Sequence, residues 1–238
     1  VFDETLSDIA GDSEADLESV PSSVLSGVGE LAIAALAVFE LPTSDQLLGY
    51  LRSTLHIEGE ESTGVFLMRL FEMLEAMLPE TVFPRNWFNA SMVVCRNSMT
   101  ILQPIALLLM EAFVPPPLSA DKFRQPLWGA FFRVLLRLLS CPQVQLDHLT
   151  AQQRMVADCL AGDDMRVLGA QLLRETWLAI GWEHNGQRTG GYQVRFTQRF
   201  LGPSLSRGLS TSRVLRECAC NVLFSICYSE HQIYGNLK

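Results

Sequence analysis

The chain has 238 residues, 48% apolar and 18% charged, enough to bury a sizeable core in one large or two small domains. Its net charge of −8 is unevenly placed: residues 1–51 carry ten acids and no base, and the remainder carries sixteen acids against eighteen bases. No concentrated basic surface is available for phosphates, which argues against nucleic acid as a partner.

Residues 1–23, rich in Asp, Glu and Ser with little periodicity, read as an acidic flexible lead-in, either simply solvated or a docking tail for a basic partner. A helical domain is expected over 24–238, with a subdivision near 114–120. The chain starts on Val, carries no targeting signal, and reads as a piece of something longer. The apolar run 31–41 is about half of the ~20 residues a membrane span needs and is bracketed by Glu30 and Glu40, so it reads as a core helix over 26–41 ending before Pro42.

Thr43 and Ser44 offer caps for a helix through Leu48, Leu51 and Leu55; a corner is expected over 59–64, and Val65, Met68, Phe71, Leu74 and Leu78 then recur at helical spacing until Pro79. Residues 86–113 form a long apolar segment that Pro104 should kink or divide. Trp87, Ala90, Val94 and Ile101 make one stripe on it, and Phe88, Cys95, Met99 and Leu102 a second, both read as core. Pro115 to Pro117 force an extended link, a turn-setting device or a ligand for a proline-binding domain. The helix expected over 126–140 is apolar almost all round, with Arg133 and Arg137 its only polar stripe, and has to sit among other helices.

The organising stretch is 145–182. Thr150 with Gln153 makes a capping box for a helix ending near Ala161, Gly162 supplies a left-handed stop, and Asp163 or Asp164 caps the next helix. Wound as a helix, residues 164–182 put Met165, Leu168, Gly169, Leu172, Leu173, Thr176, Trp177 and Ile180 on one broad arc, with Val167 and Leu178 on the far side. That helix should be covered from two directions. Residues 183–191 read as a glycine-rich loop; their spacing fits neither GxxxxGK[ST] nor GxGxxG, which rejects nucleotide binding. Helices over 192–207, bent at Gly202-Pro203, and 211–228 complete the chain.

Strand-like runs are scarce and no sheet is expected. Helices in the order helix, corner, helix, with inner members apolar on two sides, point to an all-α fold, an irregular α-solenoid of the armadillo or HEAT kind, with a compact bundle as the alternative. The six cysteines show no metal spacing, Cys218 and Cys220 point to opposite sides of a helix, and the set reads as buried thiols. His56, His148, His184 and His231 are far apart, and no GxSxG or HExxH is present. No catalytic, cofactor-binding or metal residue is assigned, and no cofactor is expected.

The order of motifs from residue 83 to 227 resembles the helical region that lies between the lipid-binding C2-like domain and the catalytic exchange domain of the dedicator-of-cytokinesis (DOCK) proteins. The resemblance is carried by Phe83-Pro84-Arg85-Asn86-Trp87, then Leu127-Trp128, Val144-Gln145-Leu146-Asp147, Gln153-Arg154 and Gly162-Asp163-Asp164-Met165-Arg166. It continues through Gly169, Trp177, Ile180-Gly181, Leu201-Gly202-Pro203 and Val214-Leu215-Arg216-Glu217. An extra aspartate at the corner and a longer glycine-rich loop mark a divergent member. Residues 1–78 are nearly unmatched. The structural positions of the family motif would be Trp87, Trp128, Asp164, Met165, Arg166, Gly169, Trp177, Gly202 and Pro203.

The resemblance implies an internal scaffold segment of a cytoplasmic guanine-nucleotide exchange factor for Rac- or Cdc42-like GTPases, not itself catalytic. It would position the membrane-binding module relative to the exchange domain. A Rho-family GTPase would be met through the parent's exchange domain and the membrane only through a neighbouring domain that recruits the parent there, with self-association or an ELMO-like protein as further contacts of the segment. The alternative is a free-standing armadillo- or HEAT-like module that binds peptides or proteins along its concave side.

Overall fold

The computed structural model describes residues 30–35, 37–38, 41–78, 82–83, 87–145, 149–161, 164–184, 187–198, 200, 202 and 212–234. The expected lead-in 1–23, the stop at Gly162 and the bend at Pro203 lie outside the described residues. Residues 30–35 and 37–38 are helical. Helix α1, Ser44–Met77, begins on Thr43, whose hydroxyl accepts from the Gln46 amide while the Gln46 side chain accepts from the Thr43 amide. This reciprocal cap serves two amides that a helix start leaves free. At Gly59 the backbone takes φ 82 and ψ 173, a region that only glycine enters cheaply, and α1 kinks there. The corner expected over 59–64 is therefore one residue long; 60–64 are helical, and no second left-handed residue stands among them.

Helix α2, Phe88–Ala112, runs through Pro104 without being divided. The carbonyl that the proline leaves without an amide belongs to Thr100, an exposed residue. α2 is long and apolar enough to cross a membrane, but 72% of its most apolar window is buried inside the fold. It packs against α1, α3 (Gln125–Ser140), α4 (Ala151–Ala161) and α5 (Met165–Ala179), which makes it the hub of the stack. Ile101, Leu102, Ile105, Leu108 and Leu109 are all at most 1% exposed. Each contributes about 2 kcal/mol of burial, so the hub rests on hydrophobic contact rather than on polar bonds.

A 3-10 helix, Pro117–Lys122, follows the three prolines and leads into α3. As its composition requires, α3 buries Trp128, Phe131, Phe132, Leu135 and Leu138. Its two exposed arginines close onto one acid of α1, with Arg133 Nε 2.8 Å and Arg137 Nη1 3.4 Å from the Glu75 carboxylate. Ion pairs this exposed contribute about 0–1 kcal/mol, so they orient α3 on α1 while the aromatic side holds it.

After α5 the chain forms a two-stranded hairpin, β1 (Trp182–His184) with β2 (Gln187–Thr189), antiparallel in the register Trp182 with Thr189, Glu183 with Arg188 and His184 with Gln187. This corrects the expectation of no sheet, and it takes Trp182 out of the stretch 164–182 expected as a helix. A second 3-10 helix, Gly191–Phe196, replaces the start of the α-helix expected over 192–207, and the chain enters it through Gly190 and Gly191 at φ 74 and φ 58. The last helix, α6 (Arg213–Tyr234), packs on α5 and the hairpin. The described residues form an all-α stack with this one small hairpin.

Candidate functional site

The starts of α4 and α5 are each built locally. Thr150 and Gln153 exchange the two bonds of a capping box: the Thr150 amide donates to Gln153 Oε1 at 3.0 Å, and the Gln153 amide to Thr150 Oγ1 at 3.3 Å. Asp164 caps α5 by accepting from the Arg166 amide at 2.9 Å, and the Arg166 guanidinium returns to the same carboxylate at 2.8 Å. Burial alone would raise the Asp164 pKa; the bonds from the Arg166 side chain and amide outweigh it and hold the carboxyl below its ordinary value. Asp164 is thus a fixed anion at a helix start, paired within the chain.

α5 then lies close against its neighbours because residue 169 has no side chain. A Cβ there would stand 2.5 Å from Leu139 Cδ2 of α3 and 3.0 Å from Met99 Cε of α2. Met165, Gly169, Leu172, Leu173, Thr176 and Trp177 are buried as the wheel predicts, and Val167 and Leu178 are half-buried. α5 meets α2 and α3, and α6 besides, so it is covered from more than one side.

Trp177 packs between Phe132 and Phe200, with ring centroids 6.3 and 4.7 Å away. The Trp128 ring meets Phe131, Phe132 and Phe123, and its Nε1 donates to the Phe113 carbonyl at 3.0 Å. Polar bonds tie the end of α5 and the second 3-10 helix to α6: Gln193 Nε2 donates to the Trp177 carbonyl at 2.8 Å, Ser225 Oγ to Gln193 Oε1 at 2.8 Å, and the Gly190 amide to Ser229 Oγ at 2.9 Å. Trp87 is half-buried at the start of α2, and Gly202 is exposed.

Chemistry-bearing side chains do not converge among the described residues: no group of three or more His, Cys, Asp or Glu is placed to hold a metal. Of the cysteines, Cys95, Cys141 and Cys218 are buried, but Cys159, Cys220 and Cys227 are exposed, which corrects the reading of all six as core thiols. Cys95 is held well above its ordinary pKa by hydrogen bonding with Cys141 first and by burial next, which disfavours its thiolate. An open groove of about 580 Å³ lies where α1 meets the start of α3, lined by Glu61, Val65, Met68, Arg69, Glu72, Arg124 and Leu127.

The family model of the dedicator of cytokinesis (DOCK) TPR region matches residues 34–238. The chain belongs to the DOCK family. It is 22% identical over 184 residues to dedicator of cytokinesis protein 3 of Mus musculus and to that of Homo sapiens, a stretch that covers 77% of this chain and 8% of each relative. This DOCK segment thus spans under a tenth of the length of those relatives. No solved structure matches it significantly.

Within the DOCK match, Trp128 of α3 and Met165, Gly169 and Trp177 of α5 are buried, and Asp164 with Arg166 forms the cap that starts α5. Trp87 stands apart at the head of α2, Gly202 is on the surface, and Pro203 is outside the described residues. The match also reaches back to residue 34, well before the residue 83 at which motif reading began. The feature that the sequence reading missed in this DOCK segment is the hairpin. Asn185-Gly186, between two runs that pair, is the dipeptide most favoured in two-residue hairpin turns, and it was there to be read.

Proposed function

We propose that this chain is an internal, non-catalytic scaffold segment of a DOCK-type guanine-nucleotide exchange factor acting on Rac- or Cdc42-like GTPases in the cytoplasm. Its work is mechanical: residues 24–238 hold a membrane-binding module on one side at a fixed position relative to an exchange domain on the other, with the proline link near 114–120 as an internal boundary. The observation that carries the reading is the DOCK TPR-region match over 34–238 on a stack whose interior buries Trp128, Phe131, Phe132 and Trp177. The GTPase is met by the parent's exchange domain, the membrane by a neighbouring domain. ELMO-like proteins, or a second copy of the parent, are the further partners this reading allows. Nucleotide release from Rac and Cdc42 tests it. The parent protein accelerates release and the isolated 238 residues do not; appreciable exchange by the isolated chain would overturn the assignment.

The groove between α1 and α3 favours a second reading, a peptide-binding module of the armadillo or HEAT kind. Under that reading Met68→Asp, in the groove, abolishes binding of a peptide ligand by the isolated chain; under the first there is no such ligand to lose.

A further inference from the structure

Cys227 and His231 stand four residues apart on α6, a mixed pair that is passed over when histidines are compared with histidines and cysteines with cysteines. Both are exposed. Along a helix, residues at this spacing point within about 40° of each other, with Cβ atoms about 5–6 Å apart. Two side chains so placed can grip one metal ion, since a thiolate sulfur and an imidazole nitrogen reach zinc at about 2.3 and 2.0 Å. The other side of α6 is already committed. Cys218, Val222 and Ile226 are buried there, Ser225 donates to Gln193, and Ser229 accepts from the Gly190 amide. Cys227 and His231 lie opposite these residues on the helix, away from α5 and the second 3-10 helix.

Two ligands do not close a zinc site. Structural zinc takes four protein ligands in a tetrahedron, and among the described residues no third His, Cys, Asp or Glu joins this pair. We propose that Cys227 and His231 are one half of a zinc site whose other half is the same pair on a second copy of this chain, a Cys2His2 tetrahedron between two α6 helices. A two-fold axis sets each surface residue opposite its own copy, so a half-site at the surface is completed without any further kind of ligand. The charges balance as well. Each Cys227 thiol releases its proton to solvent, and two thiolates with two neutral imidazoles offset the doubly charged ion. Sulfur with imidazole selects zinc over magnesium or calcium, which take oxygen ligands. Phe224, one turn before Cys227 and 58% exposed, gives the second helix an apolar side chain to meet. The inference stands apart from the exchange-factor reading.

Sedimentation velocity of the 238-residue chain, kept reduced with a phosphine and supplied with zinc or with EDTA, tests the proposal. Zinc is expected to convert monomer into dimer at one ion per two chains, and EDTA to reverse it. Cobalt(II) in place of zinc is expected to give the intense visible absorption of a tetrahedral thiolate site. Cys227→Ser and His231→Ala each abolish the dimer and weaken cobalt binding by more than the about 10–100-fold that loss of an outer-shell partner costs, with the helical circular dichroism unchanged. Cys159→Ser and Cys220→Ser, which remove the other exposed thiols, leave dimer and absorption intact. A chain that stays monomeric in saturating zinc would overturn the proposal, and so would one zinc bound per chain. A dimer that persists in EDTA or in either ligand variant would do the same, as would cobalt binding lost with Cys159→Ser or Cys220→Ser instead.

Discussion

The indole Nε1 of Trp128 donates to the carbonyl oxygen of Phe113 at 3.0 Å, inside the core. Phe113 is the residue on which α2 ends, and its carbonyl is among those that a helix end leaves without an intrahelical partner. One side chain of α3 thus closes the end of the hub helix across the proline link. Trp128→Phe keeps most of the apolar contact and orphans the Phe113 oxygen, for an expected loss of about 1–3 kcal/mol. Trp128→Ala adds a cavity and costs about 3–5 kcal/mol or more. Urea denaturation followed by circular dichroism checks both through a lowered midpoint at unchanged slope.

The approach of α5 at Gly169 is as specific. Gly169→Ala drives a methyl into Leu139, which is fully buried and cannot swing aside, and an expected loss of about 1–3 kcal/mol follows. The signature is coupling: Gly169→Ala combined with Leu139→Ala costs less than the two single changes together, as contacting residues require. Strict additivity in the double-mutant cycle would mean that the two helices do not touch there.

The kink in α1 gives a third expectation. Gly59 has open space around it, so a methyl there meets no atom, and only the backbone conformation objects. Gly59→Ala is expected to cost about 1–3 kcal/mol through that conformation alone. Gly49→Ala, in the same helix with equally free surroundings and ordinary helical φ, is expected to be neutral or slightly stabilising. Thermal melts of the two variants side by side separate backbone strain from crowding.

How much of this was legible beforehand divides along the range of the interaction. Caps and faces are local, and they were readable: Thr43, Thr150 with Gln153, and Asp164 stand where helix-start chemistry puts them, and the buried arc of α5 follows from its spacing. Of the two outcomes expected at Pro104, division does not occur, because a proline removes one hydrogen bond and the helix continues on either side of it. Gly59 to Gly64 misled in size because two glycines looked alike when only one takes positive φ. The hairpin was hidden by its glycines, read as loop while Asn185-Gly186 went unweighed. Which helix is the hub, and which motif residues share one interior, depends on contacts between residues far apart in sequence, and no spacing within a single helix encodes that.

Thiol accessibility offers a check on the stack that needs no substitution. Cys159, Cys220 and Cys227 of the isolated native chain are expected to react with iodoacetamide promptly, and Cys95, Cys141 and Cys218 only after denaturant is added. Cys218 is the informative member, since its Sγ donates to the Ala170 carbonyl at 3.2 Å in the seam between α6 and α5. Early modification of Cys218 alone, read by peptide mass mapping, would show α6 opening from the stack ahead of the rest.

The last expectation concerns acid. Asp164 has a folded pKa below its unfolded value, so its ionised form is favoured by folding; the stabilisation is complete above the ordinary carboxylate pKa of about 4 and is lost as pH falls through the depressed folded value. Asp164→Ala removes cap and charge together and is expected to cost about 1 kcal/mol at neutral pH. Asp164→Asn keeps a capping oxygen for the Arg166 amide but not the ion pair with its guanidinium, so its deficit at neutral pH is smaller. The wild-type advantage over Asp164→Asn shrinks as pH is lowered from 5 toward 3, because protonation of Asp164 makes the two caps alike. Denaturation midpoints of the two proteins across that range carry the test: a gap that stays constant or widens on acidification would mean that the Asp164 charge has no part in holding the start of α5.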